Sequence, residues 1–147
     1  MLPHGMRLRN LLALGAVVCV AGVASSVRAD ETPALEFRAL VRADQGVVRC
    51  GLFTEKGWLK APVQGTVAAI HGGAALCVFK GVAKGVYGIS AFHDRNNNGK
   101  LDTNFIGLPV EDYCASRDAR SSFGPPSFVD AKFNYSGGLK RLTAHMK

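Results

Sequence analysis

The chain has 147 residues, 48% hydrophobic and 20% charged, with a formal net charge of +7. That length fits one folded domain and hardly two. The composition is too apolar for a disordered chain, and its 17 glycines show no three-residue period, so collagen is excluded. Its basic excess forms no Lys/Arg cluster and no basic helix, so no nucleic-acid partner is expected.

The excess is also unevenly placed. Arg7 and Arg9 open the chain, Leu11 to Ala24 carries no charge, and Ser25 to Ala29 ends in Val27-Arg28-Ala29, a Val-x-Ala stop after small residues. This order predicts a secretory signal peptide over residues 1–29, and hence a periplasmic or secreted protein. The uncharged run falls short of the roughly twenty residues that span a membrane, so no transmembrane segment is expected after cleavage. Cys19 follows Val17 and Val18, without the small residue a lipid-modified cysteine needs. Residues 30–147 are then a single domain with 15 basic residues against 11 acidic, or +4.

The remainder reads as short strands. Leu35, Phe37, Ala39 and Val41 alternate with Glu36 and Arg38, and Val48, Cys50 and Leu52 alternate after a Gln45-Gly46 turn. Glu55 to Gln64 interrupts the pattern, with Trp58 placed to cover a core edge. Thr66–Ile70 and Ala74–Phe79 flank Gly72-Gly73, a hairpin signal. Val86–Phe92 is a further strand, and Leu142, Ala144 and Met146 alternate in the last one. A short helical turn is expected near Asp130. About seven strands in such a length predict an all-β, antiparallel β-sandwich with a long ordered loop.

An oxidising compartment makes cysteine pairing plausible among Cys50, Cys77 and Cys114. Cys50 and Cys77 both lie in strand-like runs, and bridging them would stabilise by about 3.5 kcal/mol in the chain-entropy picture. Cys114 would then be buried or available to another chain.

One segment carries candidate chemistry. In Asp94-Arg95-Asn96-Asn97-Asn98-Gly99-Lys100-Leu101-Asp102, side-chain oxygens fall at loop positions one, three, five and nine, and glycine at six. That spacing turns alternate oxygens toward one centre and lets a glycine make the sharp turn, as calcium loops require. The carbonyl of Lys100 at position seven is a further ligand. Position twelve is Phe105, so Glu111 or Asp112 would have to fold back to complete the site. The expected metal residues are therefore Asp94, Asn96, Asn98, Lys100, Asp102 and Glu111, with Ca2+ as the ion. Its affinity would resemble that of extracellular modules, about 10⁻⁴ to 10⁻³ M. The same residues also make a good Asn-Gly turn without any ion. His93, just before the loop, is expected at a strand end or the surface. His71, His93 and His145 lack zinc-type spacing, and no nucleophile elbow, P-loop or His-Glu-x-x-His occurs.

The stretch Phe79-x-Gly81-Val82-x-x-Gly85-x-Tyr87, running into Phe92-His93-Asp94-x-Asn96-x-Asn98-Gly99-Lys100-Leu101-Asp102, resembles a family of exported bacterial proteins, the domain of unknown function 2141. The likeness continues through Asn104-Phe105-x-Gly107-x-Pro109-x-Glu111 and Gly124-Pro125-Pro126, and reaches back to Val48-Arg49-Cys50. It implies an immunoglobulin-like or transthyretin-like sandwich and a Cys50–Cys77 disulfide. The chain departs from the family at Cys114-Ala115.

Two functions compete. The first is a non-catalytic binding or structural module, with the Asp94–Pro126 loop facing an envelope protein or a glycan. The second is a metal-dependent enzyme built from Tyr87, Tyr113, Tyr135 and the three histidines, a use some transthyretin-like sandwiches make of their fold. No motif supports the second.

Overall fold

The computed structural model describes residues 34–147. The expected signal peptide lies outside the described residues. Eight strands run in chain order: β1 Ala34–Leu40, β2 Val47–Phe53, β3 Gln64–His71, β4 Ala74–Lys80, β5 Gly85–Asp94, β6 Tyr113–Ala115, β7 Phe133–Tyr135 and β8 Lys140–His145. A 3₁₀ turn at Ser116–Asp118 and a single helical turn, α1 Phe128–Ala131, lie between β6 and β7. The helical turn near Asp130 is present, with the Ser127 hydroxyl accepting from the Asp130 N–H. Among the described residues no helix is long and apolar enough to cross a membrane.

The all-β expectation holds, but the pairing differs from it in two ways. The strands form one hydrogen-bonded path, β6-β5-β2-β3-β4-β1-β8, with β7 added on β5. The expected purely antiparallel pairing is corrected by β8, which runs parallel to β1, Leu35 opposite Lys140 and Leu40 opposite His145. The chain must cross from β7 to the far side of β1 to close, and it arrives there in the same direction as β1.

The path nearly closes on itself. Past the end of β8, Lys147 exchanges two backbone hydrogen bonds with Tyr113 of β6, at 3.2 and 3.3 Å. The two ends of the sheet therefore meet, and their unpaired edge groups are partly satisfied. The sheet bends at β3, which pairs with β2 over Gln64–Ala69 and with β4 only at Ile70 and His71. Gly72 and Gly73 both take positive φ, 58° and 74°, the primed turn that a two-residue hairpin favours.

Alternation fills the interior. Leu35, Phe37 and Ala39 of β1, Val48, Cys50 and Leu52 of β2, Cys77 and Phe79 of β4, and Ile89 and Ala91 of β5 are buried in one core. The Cys50–Cys77 disulfide ties β2 to β4 through it. Trp58 covers one end, edge-on to Phe53 and Phe128, with its indole N–H donating to the Pro126 carbonyl. It lies so close over Gly88 that a Cβ there would meet the indole at 2.6 Å. Cys114 is buried and free, and burial together with Asp118 pushes its thiol up to about 12. A thiol held protonated in this way is a poor nucleophile.

Candidate functional site

The strand β5 ends by delivering His93 and Asp94 to the head of the Asn-rich loop, and both are fully buried. Gly46 permits this, because its φ is 84° and a Cβ there would lie 2.3 Å from the Asp94 carbonyl oxygen. His93 is thus at the strand end, as expected, but buried rather than at the surface. One ring nitrogen, Nε2, meets the Gln45 carbonyl, and Nδ1 has no partner among the described residues.

Asp94 organises the loop. Its Oδ1 accepts the Asn98 N–H and its Oδ2 the Gly99 N–H, both at 2.9 Å. Oδ2 also accepts Nε–H of Arg49, whose guanidinium donates again to Asn97 Oδ1 at 2.9 Å. Burial by itself would raise the Asp94 carboxyl. The Arg49 hydrogen bond, the two loop N–H groups and the Arg49 charge outweigh it and hold the group below the usual carboxylate range. A positive charge therefore does meet the loop's first carboxylate, and it is a guanidinium from β2.

The other predicted ligands gather around the same turn in different roles. Asn96 and Asn98 aim their amide NH2 groups at Asp102, at 2.7 and 2.8 Å. Their side-chain oxygens accept backbone N–H groups instead, Asn96 from Asn98 and Asn98 from Lys100. Lys100 thus enters through its N–H. Glu111 does fold back, at 6% exposure, and its two oxygens accept the N–H groups of Arg95 and Asp102. Positions ten to sixteen, Thr103 to Pro109, form a small hairpin. Thr103 bridges Pro109, and Asn104 Oδ1 accepts the N–H groups of Ile106 and Leu108.

This arrangement bears on calcium directly. The ion would need oxygens turned toward it. Here two of the three candidate carboxylates accept backbone N–H groups, and the third faces two amide NH2 groups. For calcium to bind, the Asn96 and Asn98 amides would have to rotate and Arg49 to share Asp94. Among the described residues, no three His, Cys, Asp or Glu side chains gather as a metal site would need.

The apolar side chains on the loop's outer side are open to solvent. Phe105 is 98% exposed and Ile106 63%, and Leu108, Val110 and Phe123 are exposed as well.

The candidate enzymic groups do not converge. His71 ends β3 and is exposed, His93 is in the core, and His145 pairs with Asp118, Nδ1 to Oδ2 at 3.0 Å. The Tyr87 and Tyr135 hydroxyls donate to the carbonyls of Ala83 and Gly138.

A family model described as an uncharacterized protein conserved in bacteria (DUF2141) matches residues 39–143. The chain belongs to DUF2141. The matched span of this DUF2141 member takes in β2 to β7, Arg49 and every loop residue from Asp94 to Glu111. No curated protein and no solved structure matches the chain.

Three residues that organise this end of the molecule were not legible as such. Arg49 lies 45 residues before Asp94 and is brought to it only by the β2–β5 register. Ser116 is fully buried, accepts the Ile89 N–H and donates to the Ala131 carbonyl, joining β5 to α1. Asp118 accepts both the backbone N–H and the ring of His145. Burial acts to raise Asp118, but these two bonds and the neighbouring His145 and Arg120 charges hold it below its ordinary value.

Proposed function

We propose that this DUF2141 protein is an exported, non-catalytic module that binds an envelope protein through the Thr103–Pro109 hairpin. The observation that carries this is Phe105 and Ile106, exposed side by side on a backbone fixed by Asn104, Glu111 and Asp94. Large apolar side chains held open on an ordered loop resemble the anchors of interfaces. Export is supported by the signal-peptide pattern and by a disulfide of the kind that persists in oxidising compartments. A photo-cross-linker in place of Phe105, tested in the intact cell envelope, should give one discrete heavier adduct. Ile106→Asp should abolish it, and a cross-linker at Val86, at the other end of β5, should not give it. Equal products from both positions would refute the reading, and an adduct of twice the chain's mass would replace it with self-assembly.

A second reading keeps calcium as a structural ion at Asp94, Asp102 and Glu111. It is favoured by one fact: Asp94, Asp102 and Glu111 each hydrogen-bond to the same loop, so a rearrangement of that loop would draw on all three. Thermal unfolding in chelator, then with millimolar calcium or magnesium, tests it. At tenfold excess over Kd, calcium should add about 1.4 kcal/mol, lost in Asp102→Ala. No calcium-specific rise would leave Arg49 as the loop's cation.

Within the all-β class, the two-layer sandwich, immunoglobulin-like or transthyretin-like, is supported by the disulfide linking β2 to β4 across the core. The Tyr113–Lys147 exchange supports a nearly closed barrel instead.

A further inference from the structure

A second concave surface lies on the outside of the sheet, on different strands from the loop. It is a cleft of about 640 Å³ over β8, β1, β4 and the end of β3, within the size range of small-molecule sites. The register builds it. Arg38 of β1 stands between Leu76 of β4 and Thr143 of β8, and Glu36 stands opposite Arg141. Along strands of period two these side chains share the outward face. The floor is kept low by Ala69 and Ala74, while Leu76 supplies exposed apolar surface, at 50% exposure.

The charges on this face are not balanced. Glu36 accepts from Arg141 Nε at 2.8 Å. Arg38 makes no ion pair among the described residues, and His71 lines the same cleft. Two guanidiniums therefore stand against one carboxylate beside an apolar floor. Guanidinium donors are suited to paired hydrogen bonds with a carboxylate. We propose that this cleft binds a small organic carboxylate, with its charge on Arg38 and its apolar body over Leu76 and Ala69.

Benzoate serves as the probe, followed by amide chemical shifts of the full chain. Saturable shifts are expected at Arg38, Leu76 and Thr143, and Arg38→Gln should raise the midpoint about tenfold. Benzamide and inorganic phosphate should leave those amides unmoved. Arg38 is exposed, so its variant is expected to keep the fold, which an unchanged pattern of the other amides would verify. Leu76→Ser gives an independent variant and should also weaken benzoate. Equal shifts from benzamide, shifts from phosphate alone, or a midpoint unchanged in Arg38→Gln would each overturn the proposal.

Discussion

The core of the sheet and the Asp94–Asp112 loop are both ordered, but by opposite means. The core is held by contacts distant in sequence: Phe37, Leu52, Phe79 and Ile89 come from four strands, and a disulfide spans 27 residues. The loop buries few side chains and is held by carboxylate and amide oxygens that accept its own N–H groups, mostly within nine residues. Arg49 joins the two across the sequence, through Asp94 and Asn97. The core should therefore answer to lost volume, and the loop to charge and pH.

The largest effect is expected in the core. Phe37 is fully buried in the core, between β4 and β8. Phe37→Ala removes a ring from a packed interior and should cost about 3 to 5 kcal/mol, read as a lower urea midpoint. Replacing Cys50 and Cys77 together by alanine should cost about 3.5 kcal/mol, from the 27-residue separation. If neither change lowers the midpoint more than the loop changes below, the division between core and loop is wrong.

Next comes the joint. Arg49→Met leaves the fully buried Asp94 with no guanidinium, and should cost about 2 kcal/mol, less than a fully buried pair because Arg49 is part exposed. Adding Asp94→Asn should recover part of that loss. The pH dependence has a definite sign. The folded Asp94 carboxyl lies below its ordinary value of 3.8. Its contribution is therefore full above about pH 5 and disappears as pH falls through the lower folded value. Asp118 is lowered too and acts in the same direction, so the difference between the native chain and Arg49→Met isolates Asp94. That difference should shrink as pH falls below the ordinary carboxylate range, while the Phe37→Ala difference persists.

How much could be read in advance follows the same division. Strands with three or more inward residues were visible as alternation, and the Gly72-Gly73 hairpin and a helical turn near Asp130 were legible too, though the Ser127 cap was not. Strands β6 and β7 have three residues each, too few to show a period. The parallel β1–β8 pair was invisible because alternation states which face a residue takes, not the direction of its neighbour. In the loop, spacing placed the oxygens of Asp94, Asn98 and Asp102 around one turn. It could not say whether an asparagine offers its oxygen or its NH2 there. Nor could it supply Arg49, which reads only as an outward residue of β2.

The smallest effect on stability is expected at the hairpin, and it tests the comparison most finely. Phe105 covers no core, so Phe105→Ser should change the urea midpoint by less than about 0.5 kcal/mol. Its neighbour Asn104 is a cap, and Asn104→Ala removes the acceptor of two N–H groups. That should cost about 1 kcal/mol, mainly as faster local exchange of the Ile106 and Leu108 amides. With the cross-linker moved to the exposed Leu108, the adduct should weaken in both variants, but for different reasons. Phe105→Ser removes the contact from an intact loop, whereas Asn104→Ala loosens the loop that carries it. Equal amide protection in the two variants would mean that Asn104 does not hold the hairpin, and that the loop's order comes from Asp94 and Glu111 alone.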